Sequence, residues 1–463
     1  MFMRAPLRLF LVCIGAFAAV PAPLQATPQR PNIVIVLGDD ISWDAFGCAG
    51  NTHAQTPHID ALAAESCHMR RLYCTVSQCA PLRAELYTGL FPCRNGILAN
   101  QVNQRRANIR NIADHLSPLD YRVGLAGKRH FHLGRLPIEN ITGFPTDCNG
   151  SQSEYSLSGV RTFIEESLQS GQGFCVIIGS IHAHHPWDLG EESAFARHPR
   201  TLPPHLVDSP TTREIIARHA AEVSLLDEQV GATAALLEEM QLAEHTVLIF
   251  LSEQGMALPR GKWSPYEFGS RSLCLARWPG RILPRTTDAI ASYCDILPTL
   301  IELAGGEPEP GLDGLSLYDV WLNNQDAHRE AAYISNVHPF AQRAIVTPTH
   351  KLIWTARPAE EHICELFHAR SKRFSQAWSE WLALAGNAGN VDAKTKVARV
   401  LHPAAIELYE IDSDPYETIN VAREDPARVA ALLSRLRGLI EESGEPVPET
   451  FPAVHDAAPH AAH

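Results

Sequence analysis

The sequence predicts an α/β protein built on a large mixed, mostly parallel sheet flanked by helices, with a smaller C-terminal α+β subdomain that contains an antiparallel sheet. Three observations predict it. Short apolar, β-branched runs at Pro31–Asp40 (PNIVIVLGDD), Phe174–Pro186 (FCVIIGSIHAHHP) and Thr246–Gly255 (TVLIFLSEQG) each stop in a polar loop, as buried strands do. Segments of helical period separate them, and strands alternating with helices imply parallel pairing through crossovers. A Pro/Gly cluster at Gly305–Gly314 and a charged run at Asn323–Glu330 then change the composition, which marks a domain boundary.

The chain opens with Arg4 and Arg8 ahead of an apolar stretch from Leu9 to Val20, ended by Pro21 and Pro23, with small residues near Ala26. This reads as a cleavable signal peptide over residues 1–26, so the mature chain is expected to be exported, periplasmic or secreted. A large domain is expected over 27–328. Its first strand ends at Asp39 and Asp40; a helix follows Pro57; and His219–Met240, with a helical apolar period, leads as a crossover helix into the Thr246 strand. In open α/β sheets ligands bind beyond the carboxyl ends of the strands. Asp39, Asp40, His182, His184, Glu253 and Gln254 are therefore expected to converge on one crevice.

A smaller unit is expected over 329–445. Arg343–Ala356 reads as two strands around a turn, and Ala405–Ala422 as a strand, an Asp-Pro turn and a helix. The tail 446–463, rich in Pro, Ala and His, is expected to be disordered.

With 463 residues the chain can bury a large core and carry a companion unit. No segment beyond the leader has the long apolar run that spans a bilayer, so no membrane insertion is expected after its removal. The net charge of −13 argues against nucleic acid as a partner. An anionic substrate would need a local cationic pocket. Of eleven cysteines, Cys13 lies in the leader, and the spacings of Cys48, Cys67, Cys74 and Cys93 match no zinc pattern.

The segment carrying most chemistry is CAPLRAELYTG, Cys79–Gly89. Pro81 near a helix start places Cys79 at a helix N-terminus, where backbone N–H groups favour an anion. This segment resembles the sulfatase signature C-x-P-S-R-x-x-x-x-T-G: Cys79, Pro81, Arg83, Thr88 and Gly89 match, and Leu82 replaces the usual Ser or Ala. The resemblance to formylglycine-dependent (type I) sulfatases of the alkaline phosphatase-like superfamily runs from Pro31 to Val421, with the motifs in the family's order. It implies that a formylglycine-generating enzyme oxidises Cys79 to formylglycine, whose hydrated form attacks sulfur and later expels sulfate by collapsing to the aldehyde.

The resemblance also assigns a metal site. PNIVIVLGDD is similar to the family's first strand, which by the resemblance makes Asp39 and Asp40, together with the converted Cys79, ligands of one calcium ion. LSEQG is similar to S-D-[NH]-G, which adds Glu253 and Gln254. Both are one methylene longer than the usual pair, which can move the ion or change its coordination. Read alone, Asp39 and Asp40 also suit a turn or helix cap.

GLAGKRHFHLG resembles G-K-W-H-L-G and points to Lys128 and His130, with His132 as a rival. SIHAHHPWD resembles D-P-H-R-P-W and points to His184, with His182 and His185 as neighbours able to replace it. RGKWSPYEFG supplies Lys262, the match to a substrate-binding lysine. By the same resemblance, calcium and Lys262 hold the sulfate oxygens, Arg83 and Lys128 steady the nucleophile and ion, His130 assists proton transfer, and His184 with Lys262 protonates the leaving oxygen.

The expected activity is hydrolysis of a sulfate ester, on a carbohydrate or glycan fragment. Two alternatives remain open on the sequence: a phosphonate or phosphate ester hydrolase of the same superfamily, and a non-catalytic binder of sulfated glycans. Recognition of the leaving alcohol is expected from loops such as Leu136–Tyr155 and Glu191–Thr211.

Overall fold

A computed structural model describes residues 30–101, 106, 108–130, 138–142, 156–196, 202–338, 340–358 and 372–452. The expected signal peptide, His132 and most of the Leu136–Tyr155 loop lie outside these. The large sheet contains β1 (Asn32–Leu37), β2 (Cys67–Tyr73), β3 (Tyr121–Gly127), β4 (Glu139–Ile141), β5 (Gly173–Gly179), β6 (Thr246–Leu251), β7 (Arg271–Arg277), β8 (Arg285–Thr287) and β9 (Ala291–Ser292). Their order is β4-β3-β5-β1-β6-β7-β2-β8, with β9 also on β2. Pairing is parallel except where β7 meets β6 and β2, so the sheet is mixed and mostly parallel.

Central strand β1 shows why the run is apolar throughout rather than alternating. Ile33, Ile35 and Leu37 face one core, with Leu82 and Leu86 of the helix Cys79–Thr88 and Leu297 and Leu300 of the helix Ile296–Leu303. Val34 and Val36 face a second core, with Ile59, Phe163, Leu226 and Val230 from the helices Pro57–Ala64, Ser158–Gln169 and Pro210–Glu239. A strand covered on both faces needs apolar side chains at every position. The crossover helix into β6 starts earlier than expected, at Pro210, because the Ser209 side chain accepts a hydrogen bond from Thr212 N and the proline fits the first turn.

The smaller sheet is antiparallel, in the order β10 (Ala332–Asn336), β11 (Gln342–Val346), β12 (His350–Thr355), β13 (Ile406–Glu410). One face packs on the helix Pro426–Glu442 through Leu352, Leu408, Leu433 and Leu436. The other packs on the large unit, where Ile334, Val346 and Ile353 meet Tyr73, Tyr266 and Ile290.

Two expectations change here. The helix expected within Ala405–Ala422 starts at Pro426 instead, capped by Asp425. Asp414 holds the intervening chain in turns by accepting from Thr418 Oγ1 and Ile419 N, both at 2.8 Å. The tail expected to be disordered from 446 is packed as far as Pro452, since Phe451 is buried against Trp354 with ring centroids 4.8 Å apart. The sequence reading also passed over two helices, Lys372–Gly386 and Val391–Leu401, that lie in the connection from β12 to β13.

Candidate active site

Loops leaving the carboxyl ends of adjacent strands build the site. β1 delivers Asp39 and Asp40, β3 delivers Lys128 and His130, β5 delivers His182 and His184, and β6 delivers Glu253, Gln254 and Lys262. The helix Cys79–Thr88 points its N-terminus at them, and all ten of its residues are buried. Gln78 is its N-cap and makes no side-chain cap, although Ala80 N donates to Asn100 Oδ1 at 2.9 Å. Cys79 Sγ lies 3.0 Å from Lys262 Nζ, 3.1 Å from Gln254 Nε2, and 3.6 Å from both Asp39 Oδ1 and Asp40 Oδ1.

Charges alternate around this sulfur. Lys128 Nζ donates to Asp39. Lys262 Nζ donates to both oxygens of Asp40, at 2.6 and 2.7 Å. Arg83 lies beneath, pairing with Glu253 at 2.7 Å and donating to the Lys128 carbonyl at 3.0 Å. Three cations thus face three carboxyl groups in a space closed to water, where such interactions are strong.

Burial would raise Asp39 and Asp40, but Lys128, Lys262 and His184 outweigh it and hold both below the usual carboxylate range. Burial lifts Glu253 to about 8 against the pull of Arg83, helped by Asp39. Burial also pushes the Cys79 thiol far up.

The histidines separate by environment. His184 is pushed down to about 3 by burial and then by Lys128, opposed by Asp40 and Asp39; its Nε2 is 3.6 Å from Asp40 Oδ2. Burial and then Lys128 and Arg83 push His130 to about 3. His182 is lowered to about 4 by burial. His185 sits outside, its Nδ1 3.2 Å from that of His184.

Asp39, Asp40, Cys79 and His184 offer ligand atoms that all lie within 4.8 Å of one another. Carboxylate and amide oxygens suit a hard cation, and Gln254 adds one: its buried Oε1 has no hydrogen-bond partner among the described residues while its Nε2 faces Asp40. A half-turn of that amide exchanges the two atoms. The donor set therefore fits a calcium ion. The longer Glu253 side chain reaches Arg83, and its Oε2 accepts from Asp40 N at 3.2 Å.

Residues 31–306, more than half of the chain, match the family Sulfatase. The chain belongs to the sulfatase family. It is a sulfuric ester hydrolase. An ulvan-active sulfatase of Formosa agariphila is 26% identical over 413 residues, covering 86% of this chain and 77% of the relative. Arylsulfatase A of Homo sapiens is 28% identical over 395 residues, covering 74% and 76%. A solved protein in complex with its substrate D-glucosamine-2-N,6-O-disulfate has a TM-score of 0.70 to this chain at 17% identity, covering 90% of this chain and 98% of its own, a likeness of fold.

Several positions that shape the sulfatase site left no local signal in the sequence. Glu222, in the helix Pro210–Glu239, accepts from Ala183 N at 2.9 Å and Leu189 N at 3.2 Å, clamping the His184 loop. His219 Nε2 lies 3.0 Å from the Asp40 carbonyl. Gly179 ends β5 where a Cβ would stand 2.4 Å from the Lys128 carbonyl and 3.0 Å from Arg83 Nη1. Of the thirteen non-glycine residues with positive φ among those described, Asp40, His130, Ala183, Trp187, Glu253, Arg260 and Trp263 lie in the site loops. Strain gathers there, as it does at functional sites.

Proposed function

We propose that this sulfatase removes a sulfate ester from a carbohydrate, using Cys79 converted to formylglycine and a calcium ion held by Asp39, Asp40, Glu253 and Gln254. The observation that carries the reading is the seating of Cys79 Sγ at a buried helix N-terminus, 3.0 Å from Lys262 Nζ and 3.6 Å from two carboxylates. A thiol whose pKa burial has raised is a poor nucleophile at neutral pH, which favours conversion over direct attack. Converted and hydrated, residue 79 would supply one hydroxyl as the nucleophile for sulfur, with the ester S–O bond breaking toward the alcohol, and a second for release of sulfate; calcium at Asp39, Asp40, Glu253 and Gln254 would supply positive charge for the sulfate oxygens.

The chain's own groups do the rest. Asp40 keeps the Lys262 ammonium charged, so that it binds a sulfate oxygen and faces the departing alcohol. His184, beside Asp40, shares delivery of the proton to that alcohol oxygen. Lys128 and Arg83 hold Asp39, Glu253 and the loop carbonyls behind the nucleophile, and His130 takes up its proton. Carbohydrate as the leaving group is supported by relatives and structural neighbours named for ulvan and for sulfated glucosamine. A leader that exports the chain, and a formylglycine-generating enzyme that matures it, complete the proposal.

Rates on sulfate and phosphonate esters of the same alcohol test the reaction class. The reading expects sulfate to be the faster substrate and sulfated glycan fragments to be desulfated. Faster phosphonate hydrolysis, or binding without turnover by fully converted protein, would overturn it.

A further inference from the structure

Residues 75–78 lead from β2 into Cys79 and lie along the end of β10 in the smaller sheet. Ser335 N donates to the Thr75 carbonyl at 2.7 Å, and Gln78 Nε2 donates to the His338 carbonyl at 2.9 Å. Between these two bonds Asn336 Oδ1 accepts from Ser77 N at 3.2 Å and lies 3.1 Å from Ser77 Oγ. Ser77 and Asn336 are both fully buried. Asn336 Nδ2 has no hydrogen-bond partner among the described residues, and a buried donor left unmet costs about 1–3 kcal/mol. Stability alone therefore does not account for an asparagine here; its oxygen does.

Ser77 is also joined to the loop that carries Lys262. Its carbonyl accepts from Trp263 N at 2.9 Å, and its hydroxyl donates to the Ser264 carbonyl at 2.8 Å. A short ring thus closes from Cys79 through Gln78 and Ser77 to Trp263 and Lys262, whose Nζ returns to Cys79 Sγ at 3.0 Å. That loop needs holding. Arg260 and Trp263, on either side of Lys262, have φ of 64° and 70°, a conformation that bulky side chains seldom adopt and that persists only where the surroundings enforce it. The smaller unit supplies a second hold, since Arg260 Nη2 donates to the Glu417 carbonyl at 3.0 Å.

We infer that the smaller unit sets the placement of Lys262 against the nucleophile, with Asn336 as the positioning residue that acts through Ser77. The inference rests on the sulfatase reading of residue 79 and adds that departure of the alcohol depends on a contact between the two units. Lys262 faces both the nucleophile and the leaving oxygen, so a drift of the Ser77 link carries its ammonium away from that oxygen. A misplacement of about 1 Å can cost about a hundredfold in rate.

Rates of the converted enzyme on 4-nitrophenyl sulfate, with a good leaving group, and glucose 6-sulfate, with a poor one, test it. Asn336→Ala should lower kcat on glucose 6-sulfate at least about tenfold more than on the aryl ester, with each KM within about twofold of wild type. Loss of folded enzyme scales both rates alike, so their ratio does not move if Asn336 serves the fold alone. Should Asn336→Ala fail to fold, Ser77→Ala keeps the backbone links, removes only the hydroxyl between Ser264 and Asn336, and should shift the ratio in the same direction by a smaller factor. A ratio that stays at the wild-type value in the folded variant overturns the inference. Failure of the sulfatase reading is seen separately, as no sulfate released from either ester by converted wild type, and the inference then falls with it.

Discussion

His184 and Lys262 approach Asp40 together, so in the proposed reaction they share a proton that matters only when the leaving alcohol is a poor one. His184→Ala should therefore slow alkyl sulfates by roughly a hundred- to ten-thousandfold and activated aryl sulfates far less. Equal losses on both would remove His184 from that role. The buried carboxylates and Gln254 Oε1, which has no hydrogen-bond partner among the described residues, make a second prediction. After chelation, adding calcium at a hundred times its Kd should stabilise the fold by about 2.7 kcal/mol, read as a rise in Tm that Asp40→Asn reduces. Residue types and order were enough for the sequence to expect Cys79, Asp39, Asp40, Lys128 and Lys262 in one crevice, where the structure brings them together, because each stands in a motif at a strand end or, for Cys79, a helix start. The motif pointed to His184 among His182, His184 and His185, and geometry adds that His184 meets Lys128, Lys262, Asp39 and Asp40.

Elements position these groups through contacts that no local pattern announces. Glu222 reads as one polar position on an amphipathic helix, yet its carboxylate ties down both ends of the Ala183–Leu189 segment. Glu222→Ala should lower kcat at least about tenfold, the cost of letting a catalytic group drift, while Tm changes modestly. Burial raises Glu222 from an ordinary 4.5 to about 7. The folded chain therefore keeps a proton there that the unfolded chain loses, and raising pH through that window weakens the fold. Tm of the wild type should fall more between pH 4.5 and about 7 than Tm of Glu222→Ala does; identical profiles would contradict the shift. The strands and the long crossover helix were legible because their apolar periods are long. The excursion between β12 and β13 and the late start of the last helix were not, because capping by Asp425 and packing on Trp187 and Ile215 decide them.

Across the whole molecule, the two sheets are joined by a buried polar knot as well as by apolar packing. Lys351 Nζ on β12 is fully buried and pairs with Glu267 at 2.9 Å and Glu417 at 3.3 Å, while Tyr73 on β2 donates to Glu267 at 3.1 Å. Lys351→Met would take the nearest cation from both carboxylates, leaving Glu267 with Arg271 at 3.6 Å and Glu417 with Arg260, at a cost of up to about 3–5 kcal/mol, seen as a drop in denaturation midpoint. A small drop would mean that the apolar face alone joins the sheets. The fold class was readable in advance, since runs of apolar residues ending in polar loops can only stack as a covered sheet. The docking of the smaller sheet was not, because it depends on pairing of residues hundreds of positions apart.

Everything proposed for the reaction depends on the chemistry at Cys79. The most direct measurement is the mass of the peptide containing Cys79, from protein coexpressed with a formylglycine-generating enzyme. The account predicts a peptide lighter by the exchange of thiol for aldehyde, and sulfate release that rises with the converted fraction. An unconverted Cys79 in the presence of active maturation enzyme, or turnover that is indifferent to conversion, would contradict it.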